Sequence, residues 1–444
     1  MGKKSNSEKL YTQAQKVLSG GVSRNTVFRQ PYPNYANTAS GCYISDIEGT
    51  TRIDFANNMA ALIHGHSFAP IVEAVIEQLK KGTAFTLASE IELDFAKHLI
   101  KRGKSFERIR FVNSGTEAVM AMIKASRAFT GRAKIAKAEG AYHGTYDFAE
   151  VSQAASPKNW GSVNKPSSVL LAHGTPKSVS RDVIIYPYND IERTLSILDK
   201  QADQIACVII DPVPHRVGLM PGNKEFIEAI YDWTRKNEAL MVFDEVITFR
   251  VNYGGAQADY SVQPDLTSMG KIIGGGFPVG AVAGRADIMK VFDPHEKNLL
   301  LPHSGTFSAN PITMTAGYTA MEYFTPKAVK NLNALSQKAI RQIEEVIRLE
   351  DVPVSITGAG SMFRMHLREN LPKNYRETYQ DEAIKSVVNE LLDFMYNKEN
   401  ILMINTFSCM LSTVMTQKEI DRLSEGLQRA FKALKAKIDK VSKI

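Results

Sequence analysis

The chain has 444 residues, 44% of them apolar and 23% charged, which is the balance of a globular protein with a large core and more than one domain. No apolar run approaches the ~20 residues that span a bilayer, and the net charge of +7 is spread without a basic block among aromatics, so neither a membrane nor a nucleic-acid partner is expected. Cys42, Cys207 and Cys409 are isolated and lack metal-ligand spacing, which points to a reduced, cytoplasmic setting with no metal.

In chain order, Met1 to Lys9 carries charges with no apolar stretch behind them, so it reads as no secretory signal, and Gly2 only loosely matches a myristoylation pattern. The stretch Gly41–Thr50 has hairpin character. Short apolar runs then alternate with amphipathic segments. The candidate strands are Arg108–Val112, Ala133–Lys137, Ile205–Ile210, Leu240–Phe243 and Gly280–Gly284, and helices are predicted at Glu117–Phe129 and Asn223–Asn237. This order predicts an α/β region with a mostly parallel sheet, whose ligands gather beyond the carboxyl ends of the strands. After Asn310-Pro311 a helix at Ile312–Phe324 leads into charged amphipathic helices, with short strands near Phe363–Leu367 and Ile401–Ile404. The expected division is an N-terminal segment, 1–55, that contributes to the small domain and the substrate site. A large cofactor domain, 56–311, and a smaller α+β domain, 312–444, follow it.

The chemistry centres on Lys271. An apolar run, Leu240-Met-Val-Phe, ends in Asp244-Glu245-Val246, and Asp265-Leu-Thr-Ser-Met-Gly-Lys271 precedes the run Gly274-Gly275-Gly276. An acid closing a strand and a lysine in a short turn ahead of glycines can hold a cationic aromatic ring between them. The acid pairs with the ring nitrogen and the amine forms a Schiff base with an aldehyde, as pyridoxal 5'-phosphate requires. Taken singly, the same residues read as a surface lysine and a capping Asp.

Asn113-Ser114-Gly115-Thr116-Glu117 lies between a strand and a helix, where free amides and two hydroxyls form an anion cradle. A Ser cap with Glu in the first turn is the structural alternative. A second candidate phosphate hydroxyl is Thr306, in His303-Ser-Gly-Thr-Phe307, which otherwise reads as a polar loop. Tyr142-His143-Gly144 offers an aromatic ring to stack on a pyridine, with His143 bonding nearby polar groups; its structural alternative is a core tyrosine and a satisfied histidine.

Together these residues resemble the class III, fold-type I, pyridoxal-phosphate-dependent aminotransferases. The similarity is greatest to the subgroup of glutamate-1-semialdehyde aminomutase and the β-phenylalanine aminotransferases. The resemblance runs from about Gly20 to about Glu425. It is carried by Gly20-Gly-Val-Ser-Arg24, Gly65-His66, Phe111–Ala118, Tyr142–Gly144, Phe243–Val246, Lys271 and His303–Pro311 in shared order. It implies that Lys271 is the Schiff-base lysine and the acid–base group, and that Asp244 holds the ring nitrogen protonated. Val246 and Tyr142 would cover the two ring faces, and Ser114, Gly115 and Thr116 would bind the phosphate. Thr306 would reach the phosphate of a neighbouring subunit, implying a homodimer with shared active sites.

Arg24 is the first candidate for a substrate carboxylate, since a guanidinium binds carboxylates as a planar fork. The aminomutases have their arginine a few residues later, where this chain has Val27, so Arg24 and the Asp244–Arg250 spacing are more similar to the β-phenylalanine aminotransferases. Arg250 reads equally well as bonded to Glu245 or to a backbone carbonyl. The family commonly has Glu-Pro-Val/Met and a glycine turn where this chain has Asp211-Pro-Val-Pro-His215-Arg216-Val-Gly218, which brings His215 and Arg216 toward the substrate pocket. The segment Asn405-Thr-Phe-Ser-Cys409 lacks the arginine that β-phenylalanine aminotransferases use.

The resulting expectation is an aminotransferase that moves an amino group from a small-molecule amino acid, with β-amino and aromatic donors among the candidates, to an oxo-acid acceptor. The alternatives are glutamate-1-semialdehyde aminomutase, an amino-acid racemase, and a non-catalytic protein of the same fold.

Overall fold

The computed structural model describes residues 5–442, so the Gly2 pattern lies outside the described residues. After a first helix, Asn6–Ala14, come β1 (Ala36–Ser40), β2 (Tyr43–Asp46) and β3 (Thr51–Asp54). Then follow β4 (Arg108–Val112), β5 (Lys134–Ala138), a small ribbon of β6 (Gly161–Ser162) and β7 (Lys165–Pro166), and β8 (Val183–Tyr186). The central strands continue with β9 (Ile205–Ile210), β10 (Leu240–Asp244), β11 (Leu266–Gly270) and β12 (Gly280–Gly284). β13 (Ser355–Ala359), β14 (Met362–His366), β15 (Ile401–Leu402) and β16 (Ser408–Met410) lie toward the C-terminus.

A seven-stranded sheet of order β4-β12-β11-β10-β9-β5-β8 forms the centre of the molecule. Only β12 runs against its neighbours β11 and β4. The other six strands share one direction, as the alternation of strands and helices predicts. All six residues of β9, Ile-Ala-Cys-Val-Ile-Ile, are buried, because helices cover both faces of a parallel sheet and leave no strand face for water. Cys207 lies in this strand as a core residue, and burial raises its thiol to about 12.

Two strands of the central sheet escaped the sequence patterns. β8 is short, and β11 reads Leu-Thr-Ser-Met-Gly, so the turn that Lys271 opens follows directly on a full strand. The polar residues of β11 are nonetheless buried, and Thr267 and Ser268 are wholly covered.

Two smaller sheets stand apart from the central one. In the order β1-β2-β3-β15, the strand from residue 401 pairs in parallel with β3, so chain regions nearly a whole sequence apart share one sheet. The other, β13-β14-β16, is antiparallel. The long helices Pro326–Glu350, Glu382–Asn397 and Gln417–Ser442 pack together beside them, and the basic stretch near the C-terminus is the last of these, with Ile438 and Val441 turned inward. Among the described residues no helix is long and apolar enough to cross a membrane.

Candidate active site

A cavity of about 570 Å³ opens at the carboxyl edge of the central sheet. Its wall takes Asn113 to Thr116 from the end of β4, Tyr142 to Gly144 from beyond β5, Asp211 from the end of β9, Asp244 and Val246 from β10, and Lys271 from β11. Phe277, Pro278 and Val279 come from the same edge, because antiparallel β12 begins where its neighbours end. Arg24 and Asn58 close the cavity from the N-terminal segment.

Asp244 is the best-anchored group in the cavity. Its Oδ2 lies 2.7 Å from His143 Nδ1, while Oδ1 accepts from the Val246 amide at 3.0 Å and from Ser268 Oγ at 3.1 Å. The strand register places Ser268 directly beside Asp244 across β10 and β11. Three donors aimed at one carboxylate fix its position and orientation. His143 is fully buried, and burial lowers its pKa against the opposing pull of Asp244, so the neutral ring carries its proton on Nδ1 and donates it to the carboxylate.

Lys271 has φ of 49°, a left-handed conformation rare for a residue with a Cβ. It opens the turn Lys271–Gly274, which continues into Gly275 and Gly276, both also at positive φ. This turn directs the lysine into the cavity. Burial lowers its pKa, the charges of Asp244 and Asp211 oppose that shift, and Arg24 adds to it. Such an amine is more readily deprotonated, as a nucleophile must be.

Ser114 caps the helix Gly115–Thr130, accepting from Glu117 N at 3.1 Å, and Glu117 reaches back to the Asn113 amide at 2.7 Å. The Ser114 oxygen thus accepts from the helix while its own hydrogen stays free to donate. An arriving anion is left that hydrogen, the first-turn amides, which have no acceptor within the helix, and the Thr116 hydroxyl. A Cβ on Gly115 would lie 2.7 Å from Val246 Cγ1, and one on Gly144 would lie 2.7 Å from Thr116 Oγ1. Both glycines keep the cradle open.

The substrate candidates fall into different places. Arg24 is exposed at the cavity and donates to Asn58 Oδ1 at 2.9 Å. Arg216 stands over the Tyr142 ring, 5.0 Å from its centre. His215 is half-buried, with Nε2 3.1 Å from Thr406 Oγ1, and burial together with the charges of Arg364, Lys271 and Arg216 pushes its pKa down to about 3. Thr306 is exposed and forms no part of the cavity wall within one chain.

Arg250 corrects the expectation of a substrate contact. It is completely buried, donating from Nε to Ser361 Oγ at 3.0 Å and through its guanidinium to the carbonyls of Ala60 and Leu411. Its donors fasten the turn Thr248–Arg250 to the neighbouring segments, and Arg250 is absent from the cavity wall. Glu245 is not its partner either, being saturated by Ala256 N, Gln257 N and Gln257 Nε2.

Two residues on the wall carry chemistry that the motifs did not single out. Asp211 is buried, accepts from the Val213 amide at 3.0 Å, and is held well above the usual carboxylate range by burial and by the charge of Asp244. Asn58 lies in a run of four left-handed residues, Asn57 to Ala60. Asn tolerates that conformation, so Asn57-Asn58 was the available signal.

A cavity that holds a lysine with a lowered pKa, a triply bonded carboxylate, a flat aromatic ring and a glycine-cleared helix N-terminus suits pyridoxal 5'-phosphate. With the mostly parallel sheet, these groups define a pyridoxal-phosphate-dependent enzyme of fold type I. The comparisons give the family: residues 27–431 match the model of the class-III aminotransferases, and the chain belongs to that family. It is 36% identical to glutamate-1-semialdehyde 2,1-aminomutase 1 of Listeria welshimeri over 440 residues, covering 97% of this chain and 99% of the relative. An ω-transaminase structure from Sphaerobacter thermophilus matches with a TM-score of 0.94 and 43% identity over 96% of this chain and 97% of the other. A β-phenylalanine aminotransferase from Variovorax paradoxus matches with a TM-score of 0.86 and 29% identity over 97% and 94%.

Proposed function

We propose that this enzyme transfers the amino group of an amino acid that carries its carboxylate toward Arg24, with β-amino and aromatic acids as the donor class, to an oxo-acid acceptor. The observation that carries the proposal is the opening of Lys271 onto the same cavity as Asp244 and an exposed, otherwise carboxylate-free Arg24. When bound, pyridoxal phosphate supplies an aldehyde that takes up the amine and a ring that accepts electrons from the substrate carbon.

The protein's part is to hold and move protons. Asp244, anchored by His143, Ser268 and an amide, keeps a proton on the ring nitrogen. The Lys271 amine would take the proton from the substrate carbon that bears the amine and deliver it to the bound cofactor. Tyr142 and Val246 pack on the two ring faces, and the amides of Gly115 and Thr116, with the Ser114 and Thr116 hydroxyls nearby, hold the phosphate. His215 and Arg216 border the substrate.

Thr306 completes the phosphate site of a second copy in a cytoplasmic homodimer. Its exposure supports this assignment, as does a half-exposed apolar stripe on the helix Ala69–Lys81, where Val72, Ile76 and Leu79 are each between 42% and 48% exposed at helical spacing. Segment 1–55 joins the small domain 312–444 around the large domain 56–311, a division that the pairing of β3 with β15 supports.

The test is spectroscopic and then kinetic. Purified protein should bind pyridoxal phosphate with a visible band that Lys271→Ala abolishes, and true donors should bleach that band and pass the amine to 2-oxoglutarate or pyruvate. A colourless protein would end the proposal. The aminomutase relatives at 31–36% identity give the rival outcome, in which glutamate-1-semialdehyde alone turns over and no separate acceptor is needed. Sedimentation showing only monomers, or a Thr306→Val variant that retains the cofactor as well as the native protein does, would remove Thr306 from the site.

A further inference from the structure

Arg364 stands in the middle of β14, 4% exposed, and among the described residues no carboxylate forms an ion pair with it. Of its five N–H donors, Nη1 makes a single long bond, 3.3 Å to the His215 carbonyl, and Nε has no partner at all. Burying a guanidinium without a counter-ion is costly, and a fold tolerates it where an anion arrives from outside. The neighbours offer nothing to neutralise it. Antiparallel register sets Ser408 directly opposite, and Ser408 Oγ is bonded to Thr406 Oγ1 at 2.9 Å, which in turn meets His215 Nε2.

The turn that Arg364 touches belongs to the active site. It starts at Asp211 on the cavity wall, passes through His215, and reaches Arg216 over Tyr142, another wall residue. His215 thus feels three cations, Arg364, Lys271 and Arg216. Its own ring is neutral and is held by one hydrogen bond.

We propose that Arg364 and Arg216, on either side of the His215 turn, form a second carboxylate subsite, so that the enzyme takes a dicarboxylic substrate whose other carboxylate lies at Arg24. A carboxylate reaches the Arg364 guanidinium by displacing the His215 imidazole from Thr406. It then takes the idle Nε–H and Nη–H pair as a planar fork. The inference rests on the aminotransferase reading only for the identity of the ligand as a substrate; the subsite itself rests on the unpaired guanidinium.

Glutarate and butanoate, unreactive acids that differ by one carboxylate, test it on the full-length, cofactor-loaded protein by thermal shift and by competition with a donor. Glutarate should bind wild type at least about tenfold more tightly than butanoate. Arg364→Gln should remove that advantage and leave butanoate unchanged, and Arg364→Lys should restore part of it. Equal binding of the two acids to wild type overturns the proposal, as does a loss in Arg364→Gln that is the same for both. Should Arg364→Gln fail to fold, the wild-type ratio and the Arg364→Lys ratio decide the matter alone. A protein that prefers glutarate but whose visible band no amine bleaches keeps the subsite and loses the aminotransferase reading; bleaching without glutarate preference does the reverse.

Discussion

His143 and Asp244 form a closed pair in which the imidazole spends its one proton on the carboxylate, 2.7 Å away, and leaves Nε2 buried without a partner. An orphaned buried nitrogen is a cost that the fold bears to keep Asp244 aimed. Replacing His143 with Leu should therefore weaken cofactor retention by roughly tenfold, the low end for a hydrogen bond to a charged group. His143→Gln should recover part of this, and titration with pyridoxal phosphate measures both. Burial lowers the His143 pKa below its ordinary 6.5, so its contribution to stability is present above pH 6.5 and is lost as the pH falls below it. The Gln variant should flatten that acid limb, and an unchanged limb would mean that His143 is charged in the fold.

The cradle at Gly115 has a steric signature. An alanine there would drive its Cβ against Val246 Cγ1, on the face proposed for the ring. Gly115→Ala should lose at least about tenfold in cofactor affinity, the equivalent of ~1.4 kcal/mol, and adding Val246→Ala should return some of it. Two losses that simply add would mean that the two residues do not share a surface.

Arg250 should behave as a structural residue. Arg250→Met leaves Ser361 and two buried carbonyls without donors, which costs about 2–4 kcal/mol in denaturant unfolding. The KM of the folded fraction for a carboxylate donor should not change. A stable variant with a raised KM would bring Arg250 back to the substrate.

Lys137 gives a pH dependence in the neutral to alkaline range, above the window of acid unfolding. Its amine is wholly buried on β5 and donates to the Ala141 carbonyl at 2.9 Å and the Val151 carbonyl at 2.7 Å, bracketing the loop that carries Tyr142 and His143. Burial lowers its pKa from 10.5 to about 7, with Arg216 adding to the shift and Glu150 opposing it. The folded state thus prefers the neutral amine, with two hydrogens for two carbonyls, and the unfolded chain binds the proton first. Stability from this group is full above pH 10.5 and declines as the pH falls toward 7, by up to about 1.4 kcal/mol per unit. Unfolding at pH 7, 8 and 9 should show native protein gaining on Lys137→Met as the pH rises; parallel curves would refute the neutral amine.

The sequence made the cofactor end of the cavity legible because its chemistry sits on local signals. Asp244 closes an unbroken apolar strand, Ser114 opens a helix, and Lys271 precedes three glycines, each readable from a window of a few residues. The substrate end is assembled from distant turns. Arg24 meets Asn58, His215 meets Thr406, and Arg364 lies opposite Ser408 only through strand register. Arg250 misled because motif spacing fixes where a residue leaves the backbone and not which way its side chain turns. β11 escaped because burial there falls on Thr267 and Ser268, whose polarity hides a central strand. Asp211 stood in plain view beside a proline, but only the packing around it shows how far it is removed from water.

The pairing of β3 with β15 has a consequence in time. The central sheet has all its strands once residue 284 has been made, whereas β3, paired early with β2, waits for residue 401 before its other edge is covered. During synthesis, then, the floor of the cavity is laid long before the N-terminal wall bearing Asn58 can be fixed over it. From its own synthesis until residue 401 emerges the reactive lysine sits in an open dish, and only the last tenth of the chain puts on the cover that selects what enters.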